Sequence, residues 1–292
     1  MVAHLEARST AASGLQRRLD VERWHRRTLV RCDNGIVLID GVIAETRTLA
    51  EAAGNLTLEW FRRTDLAVDR KADGSEVTAA DREAERHIRE YLSKHHPDDA
   101  VLGEEEGEAD GTSGRRWIID PIDGTRGFVR GVPLYSTLIA LVDDEGPLAG
   151  VIRFPALDIT ISAGRAGGCW VGDHRCSVSD TATLNGALMN TSDFETFSVQ
   201  QFSAARDAGI MMRTWGDAYG YFLVATGQAE AMIDPICSTW DLAPMPLIIG
   251  EAGGRFTSID GAADYTLGSG VATNGVLHEA VLGVLDAGGP HG

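Results

Sequence analysis

A short stretch in the middle of the chain carries the side chains best suited to chemistry. Residues 117–125 read Trp-Ile-Ile-Asp-Pro-Ile-Asp-Gly-Thr. The apolar start is typical of a buried strand, Pro121 is expected to end the strand pairing, and Asp123-Gly124 is expected to form a tight turn. Asp120 and Asp123 could then converge beyond the sheet as oxygen ligands, beside an anion site if a helical turn begins near Gly124. The stretch therefore suits Mg²⁺-assisted phosphoryl chemistry, although an ordinary turn is the alternative.

Composition limits the class of protein. The chain has 292 residues, of which 43% are hydrophobic, enough for one large domain or two modest ones. A formal net charge of −17 would repel a nucleic-acid backbone. No apolar run reaches the length of a membrane span, and no signal peptide is visible. The four cysteines have no CxxC spacing and read as reduced thiols, so we expect a cytoplasmic protein without nucleic-acid or membrane partners.

The pattern of the chain suggests three parts. Residues 1–35 are rich in arginine and are predicted to form an N-terminal arm that is mobile or packed on a partner. Residues 36–180 are predicted to form an α+β sub-domain that carries most of the chemistry, and residues 181–292 a C-terminal α/β sub-domain.

Periodicity and breakers place the main elements. Helices are predicted at Ile39–Arg63, Thr78–His96, Val199–Ala208, Tyr219–Gly227, Trp240–Glu251 and Val276–Leu285. Strands are predicted at Ala100–Leu102, Trp117–Ile119, Leu138–Val142, Gly150–Phe154, Asp158–Ser162, Leu188–Thr191, Ile210–Arg213 and Ala231–Asp234. The strands between 138 and 162 are expected to form an antiparallel meander. Pro246 should kink its helix or force it to restart.

Three further acids have a structural and a chemical interpretation. Asp81 follows Thr78 by three residues, the spacing of a capping box. Glu104 belongs to a run of glutamates that is usually a solvated turn, and Asp241 stands at a helix start, where an acid usually serves as a cap or dipole partner. The residues alone leave both interpretations open.

Three motifs together resemble the inositol monophosphatase family of metal-dependent small-molecule phosphatases. They are Asp120-Pro-Ile-Asp-Gly-Thr followed by Phe128, Gly103-Glu-Glu, and Trp240-Asp-Leu-Ala ending in Glu-Ala-Gly-Gly. The resemblance runs from about Ile39 to Leu285. It implies an α/β fold, a layered αβαβα sandwich with the metal site between two sub-domains, commonly assembled as a homodimer.

The resemblance also implies roles for individual residues. Two or three Mg²⁺ would be held by the side chains of Glu104, Asp120, Asp123 and Asp241 and by the carbonyl of Ile122. Thr125 and Asp81 would orient a metal-bound water for in-line attack. The N–H groups of Gly124 and Thr125 would hold the phosphate oxygens.

Local features favour histidinol phosphate, or a related amino-alcohol phosphate, as the substrate. The Phe-Val-Arg-Gly-Val-Pro segment containing Arg130, the Gly216-Asp217 pair, and the ending at residues 271–278 resemble the histidinol-phosphate phosphatases of the family. Arg130 and Gly216 are therefore predicted substrate contacts. Asp217, together with Asp234, could pair with a substrate amine; a helix N-cap is the alternative role for Asp217.

Several departures from the family pattern keep other functions open. Gly127 replaces the usual Asn, Pro246 interrupts the last motif, and Asp234 stands where a longer Glu is common. A phosphatase of inositol, sugar or specialised-metabolite phosphates is one alternative, and a catalytically silent relative that binds a phosphometabolite is another. A nucleic-acid phosphoesterase conflicts with the acidic charge.

Overall fold

The computed structural model describes residues 29–32, 35–72 and 74–286. Most of the predicted arm lies outside these residues. At its end, β1 (Leu29–Cys32) pairs antiparallel with β2 (Gly35–Leu38). The division of the chain at residues 36 and 181 stays a prediction.

The larger sheet has eight strands and includes the predicted meander. In spatial order its strands are β12 (His174–Arg175), β11 (Gly168–Val171), β10 (Ile159–Gly164), β9 (Gly146–Phe154), β8 (Ser136–Asp143), β7 (Arg116–Asp123), β5 (Ala100–Gly103) and β6 (Gly107–Ala109). Only β5 and β7 pair in parallel; the other neighbours are antiparallel. A separate hairpin joins β3 (Val68–Arg70) to β4 (Glu76–Thr78).

The smaller sheet has five strands of mixed direction. Their spatial order is β14 (Met211–Arg213), β13 (Leu188–Asn190), β15 (Ala231–Asp234), β17 (Gly270–Thr273) and β16 (Arg255–Thr257). Strands β14, β13 and β15 are parallel. Their carboxyl ends therefore lie at the same edge of the sheet, the usual place for a ligand in sheets of this kind.

Helices separate and cover the two sheets. Two lie on the outer side of the larger sheet, α1 (Ile39–Leu58) and α2 (Ala79–His95); two pack between the sheets, α5 (Ala218–Ala225) and α7 (Met245–Glu251); and two cover the smaller sheet, α4 (Val199–Asp207) and α8 (His278–Asp286). The short helix α3 (Thr125–Val129) follows β7 in the chain and contacts β4, and the short helix α6 (Thr239–Leu242) lies beside β7. This is the predicted αβαβα sandwich. No helix among the described residues is both long and apolar enough to cross a bilayer.

The core explains where α1 ends. Its predicted end was Arg63, but the helix stops at Leu58. Trp60 and Phe61 leave the helix to join a separate apolar cluster, in which the Phe61 ring lies 5.7 Å from that of Phe128. Packing of these aromatic rings overrides the helical pattern of the sequence.

Pro121 does not end β7, contrary to the prediction. The strand continues to Asp123, and Asp120 pairs with Leu138 while Asp123 pairs with Ser136. Between these two pairs β7 advances by three residues while β8 advances by two. The extra residue in β7 makes a β-bulge. Proline is tolerated at a bulge because its missing N–H is not needed for the ladder.

The predicted interruption by proline is confirmed in the last motif. Helix α6 ends at Leu242, and α7 restarts at Met245 with Pro246 in its first turn. A proline in the first turn removes no helical hydrogen bond, because the first N–H groups have no partner within the helix.

Candidate active site

The bulge and the turn after it form a compact acidic segment, residues 120–125, which we call the acid turn. Gly124 has φ +79°, the left-handed conformation, and α3 starts directly after it. A Cβ placed on Gly124 would lie 2.8 Å from Asp217 Oδ2. The positive φ therefore favours glycine, and a larger residue would also displace the Asp217 carboxylate.

Three acids meet at this turn. Asp120, Asp123 and Asp241 each place a carboxylate oxygen within 4.8 Å of the others. The first two come from β7, and Asp241 comes from α6. Asp241 Oδ2 also accepts a hydrogen bond of 2.8 Å from Ser238 N–H in a capping box, so its cap role is confirmed and is compatible with membership of the cluster.

The electrostatics of the cluster favour a bound cation. Burial, followed by the charges of Glu104 and Asp123, raises the pKa of Asp120 well above its usual range. Burial raises the pKa of Asp241 to about 7. Asp120 Oδ1 is buried and has no hydrogen-bond partner among the described residues. A group of close, oxygen-only ligands with an unpartnered buried atom fits a hard divalent cation, which would neutralise the acids.

Glu104 lies next to this cluster but outside the three-acid group. Its Oε1 is 2.7 Å from Lys71 Nζ, and the same ammonium lies 2.6 Å from Glu105 Oε1. Burial opposes a charge on Lys71, but the two carboxylates outweigh it and raise its pKa. Glu104 still raises the pKa of Asp120 by its charge, so it is near enough to take part in cation binding. Its role as a ligand stays a prediction.

Asp81 and Thr125, the two residues that the resemblance assigns to orienting water, lie within hydrogen-bond distance of each other. Asp81 Oδ2 accepts hydrogen bonds from the N–H and the hydroxyl of Thr78, at 2.8 and 2.6 Å, which confirms the capping box. Asp81 Oδ1 lies 3.3 Å from Thr125 Oγ1, and that hydroxyl is also 2.9 Å from the carbonyl oxygen of Ile122. One oxygen of Asp81 thus caps α2, and the other faces the acid turn.

Two partners of Asp123 were missed by sequence reasoning. Asp123 Oδ2 accepts a hydrogen bond of 3.0 Å from the Ser136 hydroxyl and one of 2.8 Å from Ala218 N–H. Ser136 lies opposite Asp123 in the ladder, so knowledge of the bulge would have located it. The bond to Ala218 joins residues 95 positions apart, and no local pattern predicts it.

Ser192, Asp217 and Asp234 lie near the carboxyl ends of β13, β14 and β15, and we call them the rim. Burial raises the pKa of Asp217 to about 6, with a further contribution from Asp234, while Arg126 acts in the opposite direction. Asp217 precedes α5, yet no hydrogen bond from its side chain caps the helix in the part of the chain that the structure describes. Asp217 therefore occupies the N-cap position that the alternative gave it, but its side chain does not make the capping hydrogen bond.

Asp234 and Gly216 lie deeper than a direct substrate contact would require. Asp234 is 3% exposed, and its Oδ1 accepts a hydrogen bond of 3.0 Å from Ser192 N–H. Gly216 packs so closely that a Cβ on it would lie 2.3 Å from Ser192 Cα. Asp234 and Gly216 both hold Ser192 in place from its buried side, and their contact with substrate stays a prediction.

Arg130 is paired with groups outside the acid turn, and its contact with substrate stays a prediction. Its guanidinium forms an ion pair with Glu76 at 2.9 Å and donates to the Arg126 carbonyl at 2.8 Å. The Arg126 side chain is mostly exposed and lies 3.6 Å from Asp193. The positive charge of Arg126 acts to lower the pKa of Asp217, so Arg126 is close enough to the rim to influence its charge.

A five-layer α/β sandwich with a carboxylate cluster beside its larger sheet fits a hydrolase that uses metal ions. The chain belongs to the inositol monophosphatase family, whose sequence profile matches residues 39–288. The protein is accordingly an enzyme, a phosphoric monoester hydrolase.

Individual relatives align with more than four fifths of this chain and with nearly all of their own length. A histidinol-phosphatase of Mycobacterium tuberculosis is 43% identical over 249 residues, which are 82% of this chain and 96% of the relative. The solved structure of an inositol monophosphatase from Zymomonas mobilis is 28% identical, with a TM-score of 0.74 over 86% of this chain and 99% of its own. An IMPase/NADP phosphatase solved with Mg²⁺ and phosphate shares the fold at 23% identity, with a TM-score of 0.76 over 86% and 96% of the two chains.

Proposed function

We propose that the protein is a Mg²⁺-dependent phosphatase that hydrolyses histidinol phosphate or a related amino-alcohol phosphate. The observation that carries the substrate class is the position of Asp217, whose carboxylate approaches the acid turn at Gly124. An acid beside the reacting phosphate can pair with an amine on the leaving group. The 43% identity to a histidinol-phosphatase supports the same substrate.

The acids of the cluster would hold the metal. Asp120, Asp123 and Asp241 are the proposed ligands, with Glu104 and the Ile122 carbonyl completing a site for two or three Mg²⁺. When bound, Mg²⁺ supplies positive charge to the phosphate oxygens and lowers the pKa of water. Because these acids are buried and repel one another, they bind a cation more readily than separate surface acids do.

Thr125 and Asp81 are proposed to orient the attacking water. The Thr125 hydroxyl has one proton, which it donates to the Ile122 carbonyl or to Asp81. Its oxygen can then accept a hydrogen bond from a water molecule, and Asp81 can accept another. Gly124 and Thr125 N–H groups are proposed to hold the phosphate oxygens at the start of α3.

The experiment is a panel of phosphate esters assayed for released phosphate with Mg²⁺ and with EDTA. Histidinol phosphate should be hydrolysed best, and EDTA should abolish release. Asp217→Asn should raise KM for histidinol phosphate by about tenfold, the effect of one charged hydrogen bond, and should alter KM for inositol phosphate much less. Equal effects on both esters would contradict the pairing with an amine.

A second candidate is an inositol or sugar phosphate phosphatase. The observation in its favour is Arg126, whose positive charge acts on Asp217 and would repel a substrate ammonium. A wild-type preference for inositol phosphate, with Arg126→Ala improving turnover of histidinol phosphate, would support this alternative. Normal cation binding without release from any ester would indicate a catalytically silent relative. The homodimer and the cytoplasmic location stay predictions from the resemblance and the cysteine pattern.

A further inference from the structure

The backbone of Asp217 adopts a conformation that is unusual for any residue with a side chain. Its φ is +53° and its ψ is −156°. This region is populated almost only by glycine, because a Cβ crowds the neighbouring backbone there. Such a conformation persists only when surrounding contacts impose it, so these contacts are the feature to explain.

Ser192 holds the strained peptide from one side. Its hydroxyl oxygen accepts a hydrogen bond of 2.8 Å from Asp217 N–H. Ser192 is itself held by the buried Asp234, whose Oδ1 accepts from Ser192 N–H at 3.0 Å. The close packing of Gly216 against Ser192 leaves the two segments little room to shift.

Asp123 holds the same segment from the other side. Its Oδ2 accepts a hydrogen bond of 2.8 Å from Ala218 N–H, the peptide directly after Asp217. With its two flanking N–H groups bound to Ser192 and Asp123, Asp217 places its carboxylate against Gly124. These two hydrogen bonds therefore connect the rim to the acid turn through the strained residue Asp217.

We propose that Ser192 is a positioning residue that acts through Asp217 and so sets selectivity for the leaving group. The Asp234–Ser192 pair holds the Asp217 peptide in its strained conformation, and this aims the Asp217 carboxylate at a substrate bound at the acid turn. The inference rests on the proposed function, because the cationic leaving group is what Asp217 would recognise. It assigns Asp234 a supporting role behind Ser192.

A double-mutant cycle tests this coupling. Ser192→Ala, Asp217→Asn and the double variant are assayed with histidinol phosphate and inositol phosphate. Ser192→Ala should raise KM for histidinol phosphate by about tenfold, with kcat changed by less than about twofold, and should have almost no further effect in the Asp217→Asn background. Ser192→Thr, which keeps the hydroxyl, should restore most of the loss.

Thr191→Val provides the matched control. The Thr191 hydroxyl donates to the Asp193 carbonyl and not to the Asp217 segment, so its loss should leave the KM ratio of the two esters unchanged. A Ser192→Ala effect that persists in full in the Asp217→Asn background would overturn the proposal. So would a fall in kcat as large as the rise in KM.

Thermal unfolding in EDTA tests the strain without relying on activity. Asp217→Asn removes the charge and keeps a Cβ, whereas Asp217→Gly removes both. If the backbone is strained, the Gly variant should melt about 2–4 °C above the Asn variant. A Gly variant that melts no higher than the Asn variant would contradict the strain on which the positioning role depends.

The two proposals fail in different ways. If the wild type hydrolyses only esters without an amine, the proposed function fails, and the cycle is measured with the ester that is hydrolysed fastest. Non-additive effects of Ser192→Ala and Asp217→Asn on that ester would still support the positioning role. Additive effects would overturn it, whatever the substrate.

Discussion

The acid turn and the rim touch at Gly124 and Asp217, yet they are built in different ways. The acid turn is six consecutive residues whose geometry comes from a bulge, a proline and a glycine with positive φ. The rim consists of residues that lie at or beyond the carboxyl ends of three different strands. They are joined by tertiary hydrogen bonds, such as those of Ser192 with Asp217 and Asp234. The part proposed to bind metal is therefore encoded locally, and the part proposed to select the leaving group is encoded by the fold.

The two regions also differ in how they tolerate buried charge. In the acid turn, burial and neighbouring acids raise the pKa of Asp120 and Asp123 well above the usual range. At the rim, burial raises the pKa of Asp234, but hydrogen bonds from Ser192 oppose it. The charge of the acid turn is left for a bound cation or protons to balance, whereas hydrogen bonds from Ser192 stabilise the charge of Asp234 at the rim.

The largest effect is expected from Asp120→Asn. It removes a proposed metal ligand, and the loss of metal assistance should reduce kcat/KM by about a thousandfold or more. In EDTA the same variant should unfold at a higher denaturant concentration than the wild type, because it removes a buried acid that repels its neighbours. Phosphate release and urea unfolding measure the two effects.

Asp143→Asn is the control for that variant. Asp143 lies at the far end of β8 and pairs with Arg165, outside the cluster. Its replacement should leave phosphate release intact. Equal losses of activity in both variants would mean that the acid turn has no special role.

Gly124→Ala should break the contact between the two regions. Alanine at this position would be strained by the positive φ of the backbone. Its methyl group would also lie 2.8 Å from Asp217 Oδ2. A displacement of about 1 Å in an active site can reduce the rate by about a hundredfold, and we expect a loss of this order in kcat/KM.

Gly146→Ala is the control that separates the strain of a positive φ from the collision with Asp217. Gly146 also has a positive φ, +104°, but a Cβ placed on it would meet no atom of the described residues within 4 Å. This variant should lose stability and keep activity. If Gly124→Ala behaved in the same way, the approach of Asp217 to the turn would be irrelevant to catalysis.

The sequence was informative wherever function depends on neighbours along the chain. The acids at 120, 123 and 241, the capping box of Asp81, and the restart at Pro246 all have local signals, and the structure brings the three acids together. The αβαβα fold followed from the family resemblance, which draws on motifs spread over the chain. The strand through Pro121 was missed because an extra residue in a ladder cannot be inferred without its partner strand.

The rim was only partly predictable for a related reason. Asp217 and Asp234 could be singled out by resemblance, but Ser192 had no motif, and its role depends on hydrogen bonds to residues 25 and 42 positions away. The ion pair of Glu104 with Lys71 likewise joins residues 33 positions apart in the chain. Such contacts depend on how separate elements pack, which periodicity does not specify.

A smaller effect is the pH dependence of stability without metal. The pKa of Asp241 is about 7 in the folded protein, against 3.8 for an ordinary Asp. Between these values the folded state binds more protons than the unfolded chain, so stability in EDTA should fall as the pH rises from about 4 to 7. Urea unfolding across this range measures it. Asp241→Asn should reduce the slope but not abolish it, because the pKa values of Asp120, Asp123 and Asp217 are raised as well. Mg²⁺ should reduce the slope too, and a flat wild-type profile in EDTA would contradict the raised pKa.

The smallest effect is expected at His278, which lies in α8 and bonds to Thr257 and Thr273 at 3.0 Å each. Burial, followed by the charge of Arg255, lowers its pKa to about 4 from 6.5. Between these values the unfolded chain binds a proton that the folded state does not, so stability should fall by about 1–3 kcal/mol as the pH drops from 6.5 to 4. This sign is opposite to that of Asp241. The difference between wild type and His278→Asn, measured in EDTA across this range, should therefore isolate the acid-side loss, and the variant should keep wild-type phosphate release at neutral pH with Mg²⁺. If the loss survived in that variant, His278 would not be its source, and the contrast in pH response would not extend beyond the active site.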